Sequence, residues 1–316
     1  MDDRKVIAVI GATGAQGGGL VRAILSDPDG GFAARAITRD ADSDKAKALA
    51  ALGAEVVQAD LDDPASIIRA FDGAYGAFCV TFFWEHMKPD LEIVHARTMA
   101  EAAKSAGLKH VIWSTLDDSR DHVPLSDDRM PTLQGKYKVP HYDGKAEADT
   151  AFTDLDLPLT LLLTSFNWEN FIRFGMGPAR GEDGVLALTM PMGDAKLPGM
   201  AEQDVGKIAY GIFKRDGQFI GTTVAVAGEH LSGSELAVAL SDALGEEVRY
   251  NDVPPDVYRG FGFPGADDVG NMFHWQRDFA DEYGGIRDVE LARSLDPELQ
   301  TFRDWLNEKK DQIPIG

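Results

Sequence analysis

Cysteine is almost missing. Cys79 stands alone among 316 residues, so no disulfide can form within the chain and a reducing compartment is the expected home. Its surroundings, AYGAFCVTFFW, read as those of a small buried side chain. That stretch is also the longest apolar run, and it falls short of the roughly 20 residues a spanning helix needs. MDDRKVIAVIG has no long apolar segment after its charges, so no leader is expected. A soluble, cytoplasmic protein without a membrane partner is the resulting expectation. Positive charge is scarce as well: 31 lysines and arginines face 52 acids, a formal net charge of -21. Such a chain repels phosphate backbones, and with no visible basic cluster direct nucleic-acid binding is disfavoured. The acids are spread along the chain, the pattern of a solubilising surface. Metal-ligand spacing is lacking too, since His95, His110 and His122 read as helix-face, strand-start and loop residues; no metal is expected. Internal repeats and low-complexity tracts are also lacking.

What is present is a large apolar fraction, 44%, enough for a sizeable core in one large or two modest domains. From residue 5, short apolar runs alternate with amphipathic segments: KVIAVIG, GLVRAILSD, FAARAIT, SDKAKALAALG, AEVVQAD, PASIIRAFDG, AYGAFCVTF, EIVHARTMAEAAKSAG and KHVIWST. Continuous apolar strands separated by helices predict an α/β fold with a doubly wound parallel sheet of Rossmann type. A further helix from about His141 and the strand LPLTLLLTS complete residues 1–165 as the nucleotide-binding domain. Beyond them the alternation loosens into glycine- and proline-rich stretches, RFGMGPARGEDG and MPMGDAKLPGM, which read as loops and small strands. Helices return in QDVGKIAYGIF and SGSELAVALSDALG, the latter with Ser232 or Ser234 as N-cap and Gly245 as C-cap. Residues 166–316 are expected to form a smaller α+β lobe on the substrate or partner side, with parts returning to the sheet.

The strongest local motif is the turn Gly11, Ala12, Thr13, Gly14, Ala15, Gln16, Gly17, directly after VIAVI and before a helix. This spacing turns the chain tightly, presents backbone N–H groups to a pyrophosphate and aims a helix N-terminus at its charge. At the end of the second strand, where NAD enzymes usually keep an acid for the ribose hydroxyls, stands Thr38-Arg39. Arginine suits a 2′-phosphate, which favours NADP(H) over NAD(H). Asp40 and Asp42 stand ready to moderate that preference, and Lys45 reads either as a second phosphate contact or as a solvated helix charge. After the third strand, Asp60-Leu61 is placed for the adenine amino group. After the fourth, Thr81-Phe82-Phe83-Trp84 is placed to flank the nicotinamide ribose, with core packing or a substrate wall as the other readings of its aromatics.

Taken together, GATGAQGG, TRD, GAEVVQADLDD, VTFFWE, HYDGK and FNWENF resemble the NmrA-like family of atypical short-chain dehydrogenase/reductases, and GFPGADDVGNMFHW resembles its redox-sensor branch. The resemblance covers nearly the whole chain. It implies dinucleotide contacts at Gly11 to Gly17, Arg39, Asp60, Leu61, Thr81, Lys145 and the segment Asn167, Trp168, Glu169, Asn170. Sensor members often carry tyrosine where this chain has Asn167, a departure for which the neighbouring Trp168 is placed to compensate.

Short-chain reductases place Tyr-x-x-x-Lys on one helix face, the lysine binding ribose and lowering the tyrosine pKa so that the phenol gives a proton. Here the spacing is His141-x-x-x-Lys145. Three readings stay open: His141 is a first-turn residue in a chain that binds NADPH without turnover, or it is itself the proton donor, or Tyr142, or no protein acid at all, supports hydride transfer to an easily reduced acceptor. Ser114-Thr115 occupies either the place of the carbonyl-orienting hydroxyl or a strand-end cap. The expectation is an NADP(H)-binding, redox-responsive regulator with little or no turnover and a protein partner. The alternative is an NADPH-dependent reductase of quinones or small conjugated carbonyls.

Overall fold

Apolar runs buried on both faces are satisfied only in a sheet that helices cover on each side, and the computed structural model, which describes residues 4–315, has that architecture. In chain order it begins with β1 (Lys5–Val9), α1 (Ala15–Ser26), β2 (Phe32–Thr38), α2 (Asp44–Ala51), β3 (Glu55–Gln58), α3 (Pro64–Phe71), β4 (Gly76–Cys79), α4 (Pro89–Ala106) and β5 (His110–Thr115). There follow α5 (Pro140–Ala148), α6 (Thr150–Thr153), β6 (Leu159–Leu163), β7 (Phe166–Asn167), α7 (Asn170–Arg173), β8 (Ala179–Arg180), β9 (Leu186–Met190), β10 (Lys196–Met200) and α8 (Glu202–Lys214). The chain ends with β11 (Thr222–Ala225), β12 (Glu229–Ser232), α9 (Gly233–Leu244), β13 (Val248–Asp252), α10 (Pro255–Arg259), α11 (Ala266–Asp278), α12 (Ala280–Gly285), α13 (Val289–Leu295) and α14 (Phe302–Lys309).

Two compact units divide the chain, and neither is one continuous stretch. The first comprises residues through Asp118, Gly144–Thr164 and Glu202–Val224. Its seven-stranded sheet has the order β11-β6-β5-β4-β1-β2-β3, and β1 to β6 pair in parallel. β4 and β5 are buried along their whole length, which is why their sequences, GAFC and HVIWST, lack an alternating pattern. Trp113 on β5 stacks on Phe152 with ring centroids 4.9 Å apart. Cys79 lies fully inside this core, where loss of solvent drives its thiol pKa up. After residue 201 the chain returns to this unit: α8 packs on α1 and β11 joins the sheet beside β6.

The second unit comprises Ser119–Asp143, Ser165–Ala201 and the chain from Ala225 onward. It holds two three-stranded sheets, β12-β10-β7 and β13-β9-β8, and a core rich in aromatics, with Phe302 and Trp305 stacked at 5.6 Å. α9 begins with a capping box in which Ser232 and Glu235 each accept the other's backbone N–H, and it ends at left-handed Gly245. Among the described residues no helix is long and apolar enough to cross a membrane, and no cluster of three or more His, Cys, Asp or Glu is arranged to hold a metal ion.

Candidate functional site

In the first unit β1 lies between β2 and β4, so the connections leaving β1 and β4 diverge and a crevice opens beyond their carboxyl ends. The glycine turn sits there. Gly11 is left-handed at φ +66, and Gly11 and Gly14 are exposed while Ala12 and Gly17 are buried, with Thr13, Ala15 and Gln16 between. A Cβ on Gly17 would stand 2.5 Å from the Gly11 carbonyl oxygen; only glycine lets α1 start so close to the turn. No side chain caps α1, and its first turn holds no acid, so its positive end is available to an anion. A turn and helix end of this kind fit the pyrophosphate of a nicotinamide dinucleotide, a cofactor that supplies hydride when bound. Gln16 also reaches β5: its Oε1 accepts the Ser114 hydroxyl at 2.9 Å.

Arg39, just past β2, donates Nη1–H to Glu85 Oε1 at 2.6 Å, and this hydrogen bond raises the guanidinium pKa further. Asp40 accepts the Asp42 amide at 2.9 Å, and Lys45 is exposed. The Asp60 carboxylate accepts the Asp62 amide at 3.0 Å, while the Ser66 hydroxyl accepts the Asp60 amide at 2.9 Å. Leu61 packs against the core. The aromatic segment after β4 divides: Phe83 is buried and meets Trp84 edge-on at 5.3 Å, whereas Phe82 is 53% exposed.

A buried polar group lies beyond β4 and β5. Lys145 donates to the Thr81 hydroxyl at 2.7 Å and to the Thr81 carbonyl at 3.2 Å. Its ammonium is 3.3 Å from Glu92 Oε2 and 5.0 Å from the centre of the Trp113 ring. The Thr81 hydroxyl donates to Glu92, and His86 Nε2 is 3.1 Å from the other carboxylate oxygen. Glu92 is fully buried. Burial alone pushes its pKa up, but Lys145, His86 and Thr81 together more than reverse this and hold it at about 2. Gly144 permits the assembly: a Cβ there would lie 2.7 Å from Pro89 Cβ at the start of α4, so glycine lets α5 bring Lys145 against the helix that carries Glu92. One turn further on, Asp149 accepts from Trp113 Nε1 at 2.7 Å and from the Thr115 hydroxyl at 2.6 Å. Desolvation outweighs these bonds and pushes the Asp149 pKa up to about 6.

The remaining candidates belong to the second unit. His141 Nδ1 is 2.6 Å from Asp268 Oδ1, and the His141 amide donates to Oδ2 of the same carboxylate at 3.2 Å. A carboxylate on Nδ1 fixes both the orientation of the ring and the tautomer. The Tyr142 hydroxyl is 3.0 Å from that of Tyr283 and accepts from Gln276 Nε2 at 2.9 Å. Trp168 is a core residue, its ring 5.3 Å from Phe302, and Glu169 accepts from Trp305 Nε1 at 3.0 Å. Asn170 opens α7. Ser165 Oγ and Asn167 Oδ1 are buried atoms without a hydrogen-bond partner.

Within the first unit, then, Thr81 joins Lys145 and Ser114 joins Gln16, while Arg39 is engaged by an acid. Sequence reasoning missed Glu85, Glu92, Asp149 and Asp268. The available signal for Glu92 was weak: an acid in a helix's first turn ordinarily complements the helix dipole at the surface.

Known proteins share this architecture. The profile of the NmrA-like family matches residues 3–306. The chain is 29% identical over 289 residues to the NmrA-like family domain-containing oxidoreductase FrzB of Cladobotryum sp., covering 85% of this chain and 82% of that one. To the corresponding oxidoreductase lnaB of Aspergillus flavus it is 28% identical, covering 96% and 97%. Among solved structures, NmrA, a negative transcriptional regulator, superposes with a TM-score of 0.74 in complex with NADP, at 24% identity over 97% of this chain and 95% of that one. Its complex with NAD gives 0.75 at 23% identity over the same shares. The NADPH-dependent quinone oxidoreductase QOR2 of Escherichia coli gives 0.69 at 22% identity, covering 96% and 98%. With a family profile that spans nearly its whole length, the chain belongs to the NmrA-like family.

Proposed function

We propose that this protein binds NADP(H) at the crevice beyond β1, β2 and β4 and acts through binding instead of turnover, as a redox-responsive regulator that presents a different surface to a protein partner when the reduced cofactor is held. The acid-free start of α1, Thr81 and Lys145 support the dinucleotide part, as do the complexes that NmrA forms with NAD and NADP. The observation that carries the regulator part is that both hydroxyl candidates are already engaged and that a histidine stands where the short-chain reductase pattern has its tyrosine. Tyr142 is buried among Tyr283 and Gln276, Ser114 donates to Gln16, and the position four before Lys145 is a histidine held by Asp268. Reduction of an ordinary carbonyl is aided by an acid in reach of the oxygen that takes the proton, whereas an easily reduced acceptor can take its protons from water.

The second reading, a reductase of quinones or conjugated carbonyls, draws on one feature: a carboxylate on Nδ1 makes His141 an oriented imidazole, as a general acid requires. Following NADPH absorbance with a panel of quinones and enones, beside a direct NADPH-binding measurement, separates the two. The expected result is saturable binding with no loss of absorbance above the protein-free rate. Turnover that vanishes in Lys145→Ala and falls in His141→Ala would establish the reductase instead. Limited proteolysis tests the regulator: a ligand shifts a conformational equilibrium only through unequal affinity for its states, so cleavage rates unchanged by NADPH would count against it.

A further inference from the structure

Resting on the dinucleotide reading above, we infer that Glu85 sets the discrimination between NADP(H) and NAD(H), by competing with the 2′-phosphate for Arg39 and by offering a 2′-hydroxyl the acceptor that the end of β2 lacks. The arginine that suits a 2′-phosphate is already bound to a carboxylate, 2.6 Å from Nη1. A phosphate monoester that takes Nη1 competes with Glu85 for that donor, and one bound through the remaining N–H groups still meets the carboxylate's negative charge. A ribose 2′-hydroxyl meets no such opposition and finds a hydrogen-bond acceptor of the kind NAD enzymes provide. Arg39 therefore favours one cofactor and Glu85 the other, from two different loops.

The competitor is held in place. Glu85 ends the turn Phe83–Glu85, and the next residue, His86, is anchored 3.1 Å from buried Glu92. Met87 follows in the left-handed region at φ +55, a conformation that a flexible unbranched residue adopts only under constraint from its surroundings. The backbone of the turn is thus tied down while the Glu85 side chain stays exposed, as does that of Arg39, at 49% and 65%. An exposed pair is weak enough for a ligand to break. Asp40 does not duplicate it, because its carboxylate is engaged by the Asp42 amide.

The test is equilibrium binding of NADP⁺ and NAD⁺, by calorimetry, to the full chain and to Glu85→Gln, Arg39→Ala, the double variant and Asp62→Asn. Asp62 adds to the field at Arg39 and bonds His95 instead, so it controls for the loss of any one nearby negative charge. Glu85→Gln should tighten NADP⁺ by roughly two- to fivefold and leave NAD⁺ unchanged or weaker. The gain should vanish in the Arg39→Ala background. Equal gains for both dinucleotides, an equal gain in Asp62→Asn, or a gain that survives without Arg39 would each overturn the assignment while leaving the dinucleotide reading intact. A wild-type chain that binds neither dinucleotide would overturn both.

Discussion

Lys145 and Tyr142 stand three residues apart on α5, yet the first lies in an ionic setting and the second in a neutral one. Around Lys145 the first unit gathers a buried carboxylate, a threonine hydroxyl and an indole face. Around Tyr142 the second unit gathers another phenol, a primary amide and the Trp275 ring at 5.3 Å. In the short-chain reductase pattern a lysine and a tyrosine act as one pair. Here the lysine is kept as part of a charge network and the nearest tyrosine is a packing residue with a satisfied hydroxyl. The difference teaches that one helix can hold a lysine in an ionic network and, three residues away, a tyrosine whose hydroxyl is satisfied by neutral partners.

Removing the lysine should have the largest effect. Lys145→Met leaves Glu92 fully buried without its cation, and breaking one side of a buried pair costs about 3–5 kcal/mol; urea unfolding at neutral pH measures it. The pH dependence sharpens the point. The Glu92 pKa is about 2 in the folded chain against an ordinary value of 4.5, so its stabilisation is full above 4.5 and is lost as pH falls toward 2. In Lys145→Met the sign should invert, with acidification relieving the defect by protonating Glu92.

Asp149 should move the opposite way. Its pKa rises from 3.8 to about 6 on folding, so its contribution is present below 3.8 and is lost as pH climbs through 6. The swing is about 3 kcal/mol at roughly 1.4 kcal/mol per pKa unit. Asp149→Asn retains an acceptor for Trp113 and Thr115 and should abolish the slope of stability between pH 4 and 6. A slope that persists would assign the titration to another group. Gly144→Ala comes next, at about 1–3 kcal/mol for overpacking. Its Cβ would meet Pro89 and push Lys145 away from Glu92, so dinucleotide affinity should fall along with stability.

The layout of the first unit was legible because its strands are continuous apolar runs and its helices amphipathic. Strand-end reasoning placed Thr81 beside the nicotinamide ribose; in the structure its hydroxyl accepts from Lys145. The partners of these residues were not legible, because each is fixed by chain segments distant in sequence. Glu92 reads as a surface acid until Gly144 brings α5 onto α4, Glu85 lies 46 residues from Arg39, and Asp268 lies 127 from His141. The second unit was harder still. β7 and β8 are two residues each, too short to carry a period, and the return of α8 to the first unit has no marker in local composition.

The smallest expected effect, and the one that bears most directly on the contrast within α5, comes from Tyr142→Phe. The change removes one oxygen and leaves the ring in place against Trp275. Gln276 Nε2 and the Tyr283 hydroxyl then lose a partner in a buried setting, at about 1–2 kcal/mol. The hydrogen bonds of that hydroxyl to Tyr283 and Gln276 involve no ionised group, so the loss should be the same at pH 6 and pH 8, and dinucleotide affinity should not change. Lys145→Met should instead lower both stability and affinity, with the strong pH dependence derived above. If Tyr142→Phe kept its stability but abolished an NADPH-dependent reduction that the wild type performs, the hydroxyl would be the missing acid, and the tyrosine would rejoin the lysine as a catalytic pair.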